Sequence, residues 1–357
     1  MNRKTLSRAL CALTALGVAA GLAACGSGNA ANSGGGTSNA GMPTVTMMVG
    51  GIDKQIYLPY QLAQGLGYYK KYGVNMQLST EQSGGVGAET AMASGQVDMA
   101  GAWYEHTIEF QQAGKNVTSV AQLSGAPGER EMCAKGSGVH SPADWKGKNV
   151  GVTDLGSGTD DLTRFLAARY HLTTKDYNRV AVGDGNTLIS SLQRGRITCA
   201  MTTQPTVAAI ETKGVGYSAV NLASTVGAKK WFGGIYPAAG VLSLTDWVNS
   251  HKQTVQKVVD ALVATMHYIH THSAADIAAH LPPSFVSNGL VTKADYIKTL
   301  NQDKGQFLPD GMMPAGAPQT ALAVEKFVGK VKKPVDMAAT YTNSYVIQAN
   351  KTEGHNN

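Results

Sequence analysis

Cysteine is scarce in this chain of 357 residues, with four in all, at positions 11, 25, 133 and 199. No two form a C-x-x-C pair, so neither a zinc ribbon nor a thiol redox motif is supported. Charged residues make up only 15% of the chain and aromatic residues 7%. The Lys and Arg residues form no stripe interleaved with aromatics, which argues against nucleic-acid binding. G-x-S-x-G and H-E-x-x-H are both missing, and no Cys–His pair has a catalytic context, so the chain is not expected to be an enzyme. His267, His270 and His272 place only two imidazoles on one helix face. No metal and no cofactor is therefore expected. After position 42 no apolar run is long enough to cross a bilayer.

The N-terminus carries a targeting pattern. Arg3, Lys4 and Arg8 precede a short apolar run over 9–24 that ends in Leu22-Ala23-Ala24-Cys25. Small residues before Cys suit a peptidase that threads an extended chain, and the Cys25 thiolate is the group that takes a lipid. The sequence thus predicts a lipoprotein signal peptide over 1–24, cleaved before a lipidated Cys25. The plainer reading is an ordinary secretory leader in which Cys25 is incidental. Residues 25–43 have no charge and almost no bulky side chain, so they read as a flexible tether. The expected location is extracytoplasmic, lipid-anchored to the cell membrane, either in a periplasm or on the outer face. Removing the three leader cations lowers the formal charge from +6 to +3.

The remaining stretch, about 315 residues, is long for one core, and two lobes are expected. From Thr44 onward strand and helix signals alternate, the mark of an α/β protein with parallel sheets. Gly95-Gln96-Val97-Asp98-Met99-Ala100 and Gly195-Arg196-Ile197-Thr198-Cys199-Ala200 repeat one plan: a helix, a Gly stop and a buried strand. Ser141-Pro142 starts a short helical turn. Thr245 is expected to cap one long helix reaching about His270, with further helices near 274–281, 292–301 and 316–330. Cys133 and Cys199 lie in strand-like runs of the same half, either paired or as two buried thiols.

Four segments carry a resemblance. "YLPYQLAQGLGYYKKYGVNMQL", "AMASGQVDMAG", "SGVHSPADWKGKNVGVTDLGSGTDDLTRFLA" and "ISSLQRGRITCAMTTQP" follow one another in order. Together they resemble the sulfonate/nitrate/taurine substrate-binding proteins of ABC importers, whose relatives include thiamine-pyrimidine-synthase-like proteins. The resemblance spans roughly 44–350. It implies a two-lobed periplasmic-binding-protein fold with two crossover strands, Glu131–Lys135 and about Ala238–Leu244. Lobe one would be 44–131 plus 241–350, and lobe two 132–240. It also implies a monomer that captures a small solute of sulfonate, nitrate or taurine type and hands it to a membrane permease. Two alternatives are a pyrimidine-forming enzyme, whose Cys-rich motif is missing here, and a sensor for a membrane signalling partner.

In open α/β sheets, ligands sit beyond the carboxyl ends of the strands, which selects the candidates. These are Asp53 and Tyr57 after the first strand, Ser83 and Gly84 after the second, and Trp103, Tyr104 and Glu105 after the third. In the second half they are Ser157, Gly158 and Thr159, then Gln204, and Tyr236 near the second crossover. Ser157-Gly158-Thr159 opens a helix and either favours an anionic group or simply caps the helix. If Asp53 and Glu105 both face the crevice, they repel a sulfonate and suit a cationic, amine-bearing or pyrimidine ligand.

Overall fold

A computed structural model describes residues 41–81 and 86–354. The leader, Cys25, most of the tether, Ser83 and Gly84 lie outside the described residues. Met42–Asn357 forms one unit.

Ten strands are described: β1 Thr44–Val49, β2 Asn75–Thr80, β3 Met99–Trp103, β4 Val117–Gln122, β5 Glu129–Ala134, β6 Asn149–Val152, β7 Asn178–Ala181, β8 Cys199–Thr203, β9 Gly216–Asn221 and β10 Ala239–Leu244. They build two five-stranded sheets, β2-β1-β3-β10-β4 and β7-β6-β8-β5-β9. In each sheet one strand runs against its neighbours: β10 in the first, β5 in the second. This is the two-lobed α/β architecture of periplasmic binding proteins. The chain crosses between sheets at 123–128 and again at 222–238. The two bounding strands lie wholly in one sheet each, at Glu129–Ala134 and Ala239–Leu244.

The central strands are buried along their whole length: every residue of Met-Ala-Gly-Ala-Trp in β3 and of Cys-Ala-Met-Thr-Thr in β8. Helices cover both faces, so these strands read as continuous small or apolar runs rather than alternating ones. The repeated plan is visible in three dimensions. Gly95 and Gly195 adopt φ of 76° and 66°, the left-handed region that ends the helices Val86–Ala93 and Gly185–Gln193. The next backbone then docks on the sheet the same way, Asp98 N–H to Thr46 O at 3.1 Å and Thr198 N–H to Asn149 O at 2.7 Å.

Cys133 and Cys199 are directly opposite each other on β5 and β8 and are joined as a disulfide. Ser141 caps the 3₁₀ turn Pro142–Trp145 through a capping box with Asp144. The single long helix expected from Thr245 is instead two, Thr245–Ser250 and Lys252–Thr271, broken at His251. Polar side chains compete with the backbone there. Ser250 Oγ donates to Asp246 O at 2.7 Å, and the His251 ring stacks on Trp247. The stripe Val255, Val258, Val259, Leu262 and Met266 is fully buried. Helices Ala274–Ala279, Lys293–Asp303 and Ala317–Phe327 complete the C-terminal part.

Candidate functional site

The site is assembled from strand ends. Beyond β1 the chain turns at Gly51, whose φ of 89° excludes most side chains, and Lys54 folds beneath it. Lys54 Nζ donates to Gly50 O at 3.1 Å and pairs with Asp184 of the second lobe at 3.1 Å. Gln55 N–H donates to Gln204 O at 2.9 Å, a second stitch between the lobes. Beyond β6, Thr153, Ser157 and Thr159 bond to one another. Thr153 N–H donates to Thr159 Oγ1 at 3.0 Å, and the Thr153 and Thr159 hydroxyls lie 2.8 Å apart. Ser157 Oγ donates to Asp154 O at 2.8 Å. The hydroxyls that open the helix Gly158–Ala168 are therefore committed to holding their own loop.

Trp103, at the end of β3, meets this loop. A Cβ placed on Gly158 would lie 2.3 Å from one atom of the Trp103 ring and 2.8 Å from Glu105 Oε1. The missing side chain is what lets the two lobes touch. Between them remains a cavity of ≈ 10 Å³, lined by Lys54, Tyr57, Glu89, Trp103, His106, Glu129, Thr153, Gly158 and Thr159. That is space for about one water molecule. Nothing larger than a water fits between the lobes in this arrangement. An open groove of ≈ 1060 Å³ lies elsewhere in the first lobe, beside the helix Lys252–Thr271, and holds none of the residues selected from sequence.

The charges around the crevice are buried and mostly paired. His106 lies 2.9 Å from Glu89 and 3.4 Å from Glu109. Burial opposes its charge, but Glu89 and Glu109 outweigh that and hold it protonated well above the ordinary histidine range. Burial likewise opposes the charge of Lys54, and Asp184 followed by Glu129 outweighs it. Lys330 bridges Glu109 of the first lobe, at 2.7 Å, and Asp161 of the second. Four buried glutamates, Glu105, Glu129, Glu131 and Glu325, keep carboxyl oxygens without a hydrogen-bond partner, and the first two adjoin the cavity. Glu105 is fully buried and neither of its oxygens has a hydrogen-bond partner; Glu129 Oε2 has none either. Burial pushes each of them up to about 8.

Of the residues selected from sequence, Tyr57, Trp103, Gly158 and Thr159 meet at this cavity. Three more stand directly behind it. Glu105 faces Gly158, Ser157 braces Thr159 at 2.8 Å, and the Tyr236 ring packs edge-on against Trp103 at 6.3 Å. Three others point elsewhere. Asp53 is exposed, because the left-handed turn at Gly51 sends its neighbour Lys54 inward instead. Tyr104 follows Trp103 and faces the opposite way, its hydroxyl 2.6 Å from Thr340 and its ring against Tyr341. Gln204 serves contacts between halves: its Oε1 accepts from Ala208 N–H at 3.0 Å and its Nε2 lies 3.4 Å from Asp303. His267, His270 and His272 diverge toward Asn350, Phe307 O and Tyr268 respectively.

Sequence reasoning missed Lys54, Glu89, His106, Glu129 and Thr153. Thr153 was within reach of the strand-end rule, being the residue after β6. Glu89 and His106 sit on two different helices, and only the tertiary fold makes them a pair.

Known proteins share this architecture. A solved structure from Bordetella bronchiseptica RB50 matches with 28% identity and a TM-score of 0.82, over 87% of this chain and 98% of that one. The alkanesulfonate-binding protein of Xanthomonas axonopodis pv. citri, solved with MOPS bound, matches with 16% identity and a TM-score of 0.68, over 84% of this chain and 98% of that one. Among curated proteins, the 4-amino-5-hydroxymethyl-2-methylpyrimidine phosphate synthase of Schizosaccharomyces pombe is 31% identical over 129 residues. That alignment spans 36% of either chain, so this protein matches only about a third of the length of its curated relatives. No described helix is long and apolar enough to cross a membrane. A family model described as NMT1/THI5 like matches residues 56–276, well over half of the chain, and the protein belongs to that family.

Proposed function

We propose that this protein is the extracytoplasmic solute-binding lipoprotein of an ABC importer, which clamps a small organic solute between its lobes and presents it to a membrane permease. The observation that carries this reading is the meeting of Trp103 with Gly158 across the crevice, ringed by charged and aromatic side chains from both lobes. Closure excludes water and strengthens every polar contact to the captured solute. The chain acts as a monomer held at the membrane by Cys25, with residues 25–43 as its tether. A thermal-shift screen of small solutes tests the reading, since a ligand of the folded state raises the melting temperature with its excess over Kd. Trp103→Ala should lower the affinity for any hit by tenfold or more, on the order of 1.5 kcal/mol for a lost stacking face. Unchanged affinity in that variant counts against the crevice.

A second reading, a pyrimidine-forming enzyme, draws on the partial match to the Schizosaccharomyces pombe synthase. Cys133 and Cys199 are tied to each other and offer no thiolate. Formation of a phosphorylated pyrimidine by the purified chain would establish it.

A further inference from the structure

The crevice has a sign. Around it, Lys54 is matched by Asp184, and His106 by Glu89 and Glu109. Lys330 is matched by Glu109 and Asp161. Both oxygens of Glu105 and Oε2 of Glu129 have no hydrogen-bond partner, although Glu129 shares the charge of Lys54 with Asp184. Both glutamates are buried, and an unpartnered carboxyl oxygen in that setting forfeits hydrogen bonds it would make in water. Glu105 lies at the mouth of the helix Gly158–Ala168, in the place an anionic ligand would take to use that helix N-terminus. Asp160 and Asp161 occupy the first turn of the same helix and are buried as well. The hydroxyls of Ser157 and Thr159 are spent on their own loop. An anion entering here would meet two incompletely partnered carboxyls and few free donors.

We infer that the solute is an organic cation bearing N–H donors, an amine or amidine on a flat or apolar body, with Glu105 and Glu129 as its counter-charges and Trp103 and Tyr57 as its walls. The inference rests on the clamp reading and deepens it. The N–H groups supply the hydrogen bonds that the two carboxyls lack, and the positive charge stabilises their ionised form. The aromatic faces attract the same charge. Because burial otherwise keeps these carboxyls protonated, capture of the cation releases protons to solvent.

The test uses a matched pair of probes with the same ring and opposite charge, benzamidine and benzenesulfonate, with tetramethylammonium as a cation that has no N–H. Calorimetry on the purified chain should show benzamidine binding, weaker binding of tetramethylammonium and none of benzenesulfonate. Binding in two buffers of different ionisation enthalpy should reveal proton release. Glu105→Gln and Glu129→Gln should each weaken benzamidine at least about tenfold. Their unliganded melting temperatures, measured beside them, show that the fold is retained. Binding of benzenesulfonate alone, with lobe closure, overturns the cation assignment and leaves the clamp intact. Failure of benzamidine to bind, or binding that ignores both substitutions, overturns the assignment as well. A Trp103→Ala variant that binds either probe as the parent does is the separate result that would overturn the clamp.

Discussion

Gly158→Ala adds a single methyl group at the tightest contact between the lobes. The new Cβ would stand 2.3 and 2.6 Å from two atoms of the Trp103 ring and 2.8 Å from Glu105 Oε1. Carbon atoms rest at about 3.5 Å or more, so the lobes must separate locally by roughly 1.2 Å. Overpacking of this kind costs about 1–3 kcal/mol. The methyl is harmless to the lobe itself, since Gly158 is not in a left-handed conformation and Ala favours the helix it begins. The cost therefore falls on closure, and the closed population should drop by roughly 5- to 150-fold. Small-angle scattering and Trp fluorescence should report a more open molecule, with a melting temperature near that of the parent. In the double variant Trp103→Ala/Gly158→Ala the clash is gone, so the two changes should be strongly non-additive. A Gly158→Ala protein as compact as its parent would refute the reasoning.

Other outcomes follow from neighbouring groups. Arg130 and Asp303 form a buried two-pronged pair at 2.9 and 2.7 Å, so Arg130→Ala leaves a buried carboxylate alone and should cost about 3–5 kcal/mol in urea unfolding. The Cys133–Cys199 bridge closes a sequence separation of 66 residues, worth about 4 kcal/mol in the chain-entropy account; the double Ser variant should unfold at correspondingly lower urea. Glu105 and Glu129 are raised from an ordinary 4.5 to about 8, so the folded chain holds protons that the unfolded chain releases. Their contribution is complete below the ordinary carboxylate range and is lost as pH rises toward 8, by up to about 1.4 kcal/mol per pH unit for each group. Melting temperature should thus fall from pH 5 to pH 8.5, less steeply in Glu105→Gln; a parent curve identical to the variant's would contradict this.

The fold was legible where the sequence repeats a physical device. Gly95 and Gly195 mark the same helix stop, and the small, apolar β3 and β8 mark central strands covered on both faces. The alternation of strands and helices placed the strand ends of both sheets, where Tyr57, Trp103, Gly158 and Thr159 come together. Direction was not legible. Whether Asp53 or Lys54 turns inward depends on one left-handed Gly51, and whether Trp103 or Tyr104 does depends on which residue ends β3. Pairings between distant elements were also out of reach. Glu89 meets His106, and Lys330 joins Glu109 to Asp161, only once three helices are packed. The break at His251 was hidden because apolar periodicity runs through it, while the competing bonds come from Ser250 and His251 themselves.

The central claim is that the two lobes open and close around one shared crevice. Spin labels on exposed Gln64 of the first lobe and exposed Lys175 of the second test it most directly. Two label distances are expected in solution, with a bound solute collecting the molecules into the shorter one and Gly158→Ala shifting them toward the longer. A single distance, unmoved by solute and by the added methyl group, would contradict it.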